Sequence, residues 1–208
     1  MTETHDLFDM MRSTRSMRRL KPDPIPDALL RQVLEAGSFA ANGGNMQSWR
    51  FLVIRDPAVK AAAGQWYRKA WHEIVGPRYR SGGPAPGTTP EGFERMLNAA
   101  EYLADHFHEA PVWIVPCAPG SRNSGASVFP AVQNMLLACR ALGLGATLTT
   151  LYLGFEKEAE AALGLPEGVH SYAIIPVGFP LGRFGPVRRA PLENVVYADK
   201  WGQAFAPD

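Results

Sequence analysis

The stretch "SVFPAVQNMLLACRALGLG", residues 127–145, constrains the fold more than any other part of the chain. Val128, Val132, Met135, Leu136, Cys139 and Leu142 recur at helical spacing, and apolar side chains wrap more than one face. A helix of that kind cannot lie on a surface with one stripe turned inward, so it is central or seated at an interface. The remaining elements must pack around it. With 208 residues, 46% of them apolar and 20% charged, the chain can build one substantial core, whereas two domains would each be small. A single domain over 1–208 is expected, and no internal repeat divides it.

Around that helix the periodicities alternate. A first helix is predicted from Leu7 to about Met17, and "PDPIP" stops it. Pro26 and Asp27 open a second helix with Leu29, Leu30, Val33, Leu34 and Gly37 on its apolar face. "WRFLVIR", Trp49 to Arg55, reads as a strand. Residues 58–75 read as a helix, and 76–92 as a glycine- and proline-rich flexible loop or lid. "FERMLNAAEYLADHF" restores the helical pattern, and "PVWIVPCA" is a short strand buried in a sheet. "SRNSGAS" reads as a loop. "SYAIIPVGFP" resembles an interior strand, although Pro176 argues for an edge or an irregular end. The arm 183–208 has few large apolar groups, carries a strand-like "VVY", and is poorly built to pack alone. Pairing with a sheet, such as that of a second subunit, would satisfy its backbone.

The formal charge of +1, without a basic tail, lacks the footprint of a nonspecific nucleic-acid binder. The opening "MTETHDLFDMM" lacks the positive start and apolar run of a signal peptide, and no window reaches the length of a membrane span. The cytoplasm is the expected compartment, with Cys117 and Cys139 as reduced, buried thiols. His106 and His108 match no metal motif, and Ser13, Ser16 and Ser127 lack the context of a hydrolase nucleophile. No metal is expected.

Three short segments carry binding chemistry. "RSTRSMRRLK" gathers Arg12, Arg15, Arg18, Arg19 and Lys21 with no acid among them, and Arg188 with Arg189 forms a second cluster far along the chain. Guanidinium groups from two such places suit a phosphate, and equally describe a solvated basic helix end. In "AANGGNMQSW", Asn45 and Gln47 share one face if the chain is already extended, and Gly43 and Gly44 allow close backbone approach. An Asn-Gly turn without a ligand has the same composition. "ALGLGATLTTL" ends a helix and continues into a short extended piece whose amides can face a ring, although GLG is also an ordinary helix stop. Arginines for phosphate, amides for a polar chain and backbone donors for a ring are together the needs of FMN.

Through "TRSMRRLKPDPIPDALLRQVLEAGSFAANGGNMQSWRF", "AVQNMLLACRALGLGATLTTL" and "VRRAPLENVVYADKWG", the chain resembles the nitroreductase-like family of FMN-dependent oxidoreductases. The resemblance spans nearly the whole chain and is weakest from Gly64 to Asn98. It implies an α+β fold: a central, mostly antiparallel sheet surrounded by helices, in an intertwined homodimer with C-terminal arm exchange and FMN at each subunit interface. Arg15, Ser16 and Arg18 match the early flavin motif, with Arg15 at the phosphate and Arg18 at the ribityl and N1/O2 side. Asn45 matches a flavin-contacting asparagine with Gln47 beside it; Leu148, Thr149 and Thr150 match the segment near N5 and O4. Arg188 or Arg189 matches the late phosphate contact. Ala41, Asn42 and Ser48 stand where relatives carry Pro-Ser and Pro, and Asn42 keeps a polar contact there.

The implied reaction is ping-pong. NADH or NADPH delivers hydride to the flavin and leaves, and a nitroaromatic, quinone or related planar acceptor takes its place. The absence of a GxGxxG fingerprint agrees with nicotinamide as a visiting substrate. Trp71 and Phe93 are candidate acceptor contacts from the divergent region. Reductive dehalogenation or oxygen-dependent flavin chemistry, a noncatalytic FMN-binding protein and a structural dimerisation module are the alternatives.

Overall fold

The computed structural model describes residues 6–85 and 87–205. Five strands, β1 (Arg50–Ile54), β2 (Val112–Pro119), β3 (Gly145–Ala146), β4 (Val169–Ser171) and β5 (Ile175–Gly178), form one sheet among these residues. Every pairing is antiparallel, in the order β1-β2-β5-β3 with β4 also on β2. The helices are α1 (Leu7–Ser13), α2 (Asp27–Ser38), α3 (Pro57–Ala70), α4 (Gly76–Gly82), α5 (Pro90–Asp105), α6 (Gly125–Ala141) and α7 (Glu156–Ala162). No helix among the described residues is long and apolar enough to cross a membrane.

β2 is buried on both faces because its side chains alternate between two cores. Val112, Ile114 and Ala118 join α2 and α6 in one core; Trp113, Val115 and Cys117 join α3 and α5 in the other. Of the wide apolar surface of α6 one stripe is buried, Val128, Ala131, Val132, Met135 and Cys139, while Leu136 and Leu142 are half-buried and Phe129 is 41% exposed. Gly37 lets α2 come close to it, since a Cβ there would stand 2.8 Å from Met135 Cγ. Burial pushes the thiols of Cys117 and Cys139 up to about 12, so both stay protonated and unreactive near neutrality.

Several boundaries differ from expectation. α1 stops at Ser13 rather than near Met17, because Thr14 turns extended and Met17 N donates to Ala146 O at 3.0 Å. The expected helix over 58–75 runs further: α3 passes through a π turn, Trp71–Val75, into α4, so helix occupies the first part of the presumed 76–92 loop. The loop that remains is 83–89, with Pro86 outside the described residues, and Thr89 caps α5 by accepting from Gly92 N. Helix α6 begins at Gly125, inside the "SRNSGAS" expected as loop. The strand-like "VVY" is no strand; only Tyr197 pairs, in an isolated bridge to Ala204.

Pro176 lies in the sheet interior, between β2 and β3, as the interior-strand reading of this segment expected and against the edge or irregular end that the proline suggested. The sheet accommodates it in two ways. Val115 and Pro116 of β2 face three residues, Tyr172 to Ile174, a bulge that separates β4 from β5. On the other side, β3 pairs Ala146 with Val177, and pairing resumes only at Thr149 with Ile174. Pro176 has no N–H to give to Thr147, so the ladder lapses at Thr147 and Leu148.

Candidate functional site

That lapse leaves Thr147 and Leu148 as the wall of a site, and the arginine-bearing segment lies beside it. Residues 14–21 run along the sheet edge through Met17 N to Ala146 O, Lys21 N to Phe179 O at 2.7 Å, and Leu181 N to Arg19 O at 3.0 Å. Close approach depends on the paired glycines Gly145 and Gly178. A Cβ on Gly145 would stand 3.0 Å from Met17 Cβ, and one on Gly178 would stand 3.1 Å from Leu20 Cβ. Met17 is buried by this docking, which turns Arg15 and Ser16 outward.

Arg18 enters a cavity of about 160 Å³ lined by Tyr67, Trp71, Tyr79, Met96 and Thr147–Leu151. Burial lowers its pKa, and the charge-bearing neighbours acting on it are Tyr67, Tyr79 and Arg15, none of them a carboxylate. Guanidinium titrates so high that Arg18 remains a cation at neutral pH. Burial raises the pKa of Tyr67 against the opposing pull of Thr149 and of the Arg18 charge, so that phenol stays protonated. A half-buried cation without a counter-charge is costly and favours an anionic or electron-rich guest.

A second cleft, about 240 Å³, brings together Arg15, Ser16, Gln133, Leu136, Thr147, Leu148 and Arg189. Arg189 therefore shares a wall with Arg15 and Ser16, and it lines the neighbouring cleft of Arg95 together with Arg188. The two arginine clusters, more than 150 positions apart in sequence, meet in space. Val187 N donating to Arg12 O at 3.0 Å anchors the arm that brings the second one.

The amide turn lies elsewhere. Gly43–Asn45 is a 3-10 turn held to α6 by Gly43 N donating to Ser127 Oγ at 3.1 Å. The chain is not yet extended, as Asn45 and Gln47 are both left-handed, with φ of 53° and 47°. Asn tolerates this conformation, whereas for Gln it costs on the order of 1 kcal/mol, strain of the kind that concentrates at functional turns. Asn42 Oδ1 accepts from Gln47 N at 2.9 Å, so its carboxamide braces the turn itself. Gln47 Nε2 donates to Asn45 Oδ1 at 3.3 Å.

Arg15, Ser16, Arg18, Leu148, Thr149, Thr150 and Arg189 are thus gathered in adjoining cavities, with Trp71 beside Arg18. Asn42, Asn45 and Gln47 form a separate group at the start of α6, and Phe93 packs against the α3–α5 core. Sequence reasoning missed Gln133 and Arg95, lone polar residues on helices that carried no signal, whereas Tyr67 belongs to the aromatic run of the divergent region from which acceptor contacts were expected. Outside the site, Arg122 bridges Glu156 and Glu160 beside His170, a charge cluster that fastens the 3-10 turn Arg122–Ser124, just before α6, to α7 and β4.

The profile of the Nitroreductase family matches residues 11–179. The chain is 33% identical over 199 residues to "NADH dehydrogenase" of Thermus thermophilus, covering 88% of this chain and 90% of that one. It is 31% identical over 180 residues to "Iodotyrosine deiodinase" of Thermotoga neapolitana, covering 84% and 88%. Among solved structures, a nitroreductase with bound FMN from Bacteroides fragilis superposes with a TM-score of 0.68 at 19% identity, over 94% of this chain and all of that one.

Proposed function

The chain belongs to the nitroreductase family, and on that premise we propose that it is an FMN-dependent oxidoreductase taking electrons from NADH or NADPH and passing them to a nitroaromatic, quinone or related planar acceptor. The observation that carries this reading is the meeting of Arg15, Arg18 and Arg189, without a lining carboxylate, around backbone that Pro176 releases from the sheet. That donor set fits FMN. Arg15, Ser16 and Arg189 would hold the phosphate, Arg18 the electron-rich edge of the ring, and Leu148 to Thr150 its polar rim. When bound, FMN supplies the redox chemistry. The side chains bind, orient and stabilise charge, and Tyr67 keeps a proton on its hydroxyl beside the cavity.

Asn42, Asn45 and Gln47 would complete the site from the partner of a homodimer. Support for the homodimer lies in apolar side chains left in solvent: Phe39 is 82% exposed, Met46 78% and Trp201 90%, and α1 buries none of its residues. The two groups of flavin contacts would then come from different copies, and arm 183–208 would reach across. Two buried, reduced thiols agree with the cytoplasm as the compartment.

The test is an anaerobic absorbance record of the FMN-loaded protein during addition of NADH, then NADPH, then acceptors. Bleaching and its reversal by a nitroaromatic or quinone are expected. Flavin that neither nicotinamide bleaches would overturn the reading. Resemblance to the Thermotoga relative favours one second reading, reductive dehalogenation, so the acceptor series includes a halogenated phenol.

A further inference from the structure

The arginines of this chain divide by their partners. Arg12, Arg31, Arg55, Arg68, Arg80 and Arg122 each meet a carboxylate. Arg19, Arg95 and Arg183 form no such pair among the described residues, and they converge with Arg15 on one cleft of about 470 Å³. No acid lines it; Met17, Met96, Ala99 and Gly182 supply the apolar part of its wall. The guanidinium of Arg19 is steadied 4.5 Å above the ring of Tyr102. Arg18 and Met96 line both this cleft and the Arg18 cavity, so the two are neighbours. Gly92 and Arg95 likewise line the cleft of Arg188 and Arg189.

Like charges gathered on one wall repel, and a multiply charged anion between them removes that cost while focusing approach from solvent. FMN brings one phosphate, for which Arg15 and Arg189 suffice. Three further cations remain. We propose that the cleft bearing Arg19, Arg95 and Arg183 is a second anion subsite that takes a phosphate group of the nicotinamide donor, an assignment that rests on the oxidoreductase reading. A dinucleotide with its nicotinamide near the Arg18 cavity extends well beyond the ring, and this cleft is the adjoining surface of matching charge. Two phosphates of such a donor share this chemistry: the 2′-phosphate, present only in NADPH, and the pyrophosphate, common to both.

Calorimetric titration of the FMN-loaded protein with adenosine 2′,5′-bisphosphate and with ADP separates them without turnover. At least one probe is expected to bind, with a Kd that rises about tenfold for each arginine removed in R95Q, R183Q and their double variant, and that weakens with salt. Selective binding of the bisphosphate assigns the 2′-phosphate and a lower KM for NADPH; binding of ADP assigns the pyrophosphate and an equal effect on both donors. R95K, which keeps the charge, should recover most of the affinity, and an unchanged flavin spectrum reports an intact fold. Neither probe binding the wild type at millimolar concentration, or both binding the double variant undiminished, overturns the subsite. Probe binding without flavin reduction by either nicotinamide leaves an anion subsite standing and overturns its assignment to a nicotinamide donor together with the oxidoreductase reading.

Discussion

Arg18 is the side chain whose surroundings state most about the site. Its guanidinium is half-buried among aromatic rings with no carboxylate acting on it, so its charge is available to a guest. Arg18→Gln keeps much of the shape and removes the charge. Steady-state turnover of the FMN-loaded variant should fall about 100-fold, the usual scale for loss of one preorganised electrostatic donor. Turnover within twofold of wild type would remove Arg18 from the chemistry. Asp105 makes a different prediction. Its carboxylate accepts from Arg68 and from His72, both at 2.9 Å, which holds its pKa below the ordinary 3.8. A carboxyl with a lowered folded pKa stabilises the fold above its unfolded value, and that contribution is lost as pH falls through the folded one. Because the group is partly exposed, the contribution at pH 7 is about 0.5 kcal/mol. Urea midpoints of Asp105→Asn and wild type should therefore differ at neutral pH and draw together on acidification below the ordinary carboxylate range; a gap that widens would refute the linkage.

At the scale of elements, one proline decides where backbone becomes available. Pro176 sits opposite Thr147 with no N–H to give, and the β3–β5 ladder lapses there. Pro176→Ala would restore the missing donor. A new ladder bond is worth about 1 kcal/mol, so the variant should be as stable as wild type or slightly more. On the proposed reading it should nevertheless bind FMN more weakly, since Thr147 and Leu148 would be drawn into the sheet. Thermal melts of the FMN-free protein, paired with a flavin fluorescence titration, separate the two effects. Weaker melting with unchanged FMN affinity would show that the proline serves the strand and not the site.

For the whole molecule, the governing fact is that the proposed flavin contacts fall into two groups, which line no common cavity among those described. Arg15, Arg18 and Arg189 occupy one set of cavities, and Asn45 and Gln47 sit on a turn held by Ser127 of α6. If a second copy closes the gap, FMN affinity must depend on association. Sedimentation of the wild type should give twice the chain mass. Replacing the exposed Phe39 and Trp201 by Asp should shift it toward monomer and weaken FMN binding at least tenfold. A monomer retaining full FMN affinity would sink the shared-site arrangement.

The sequence by itself determined what depends on local pattern. The apolar wrap of α6 pointed to a helix that is central or at an interface, the run "PVWIV" to a buried strand, and the order of arginines, amides and glycines carried the family likeness. These features are legible because periodicity and side-chain chemistry act over a few neighbouring residues. Tertiary structure decided the rest. Helix persists from Gly76 through Gly82, in the first part of the stretch 76–92 expected as loop, because neighbouring turns continue across the π turn and Pro77 stands in the first turn of α4, where a missing N–H is tolerated. Pro176 entered the sheet interior because a bulge and a lapsed ladder absorb its missing donor. Arg189 rather than Arg188 shares a wall with Arg15 because the arm that carries both is fixed at Val187. Such choices depend on contacts between residues far apart in the chain, and no local pattern encodes which of two adjacent arginines will face the cleft.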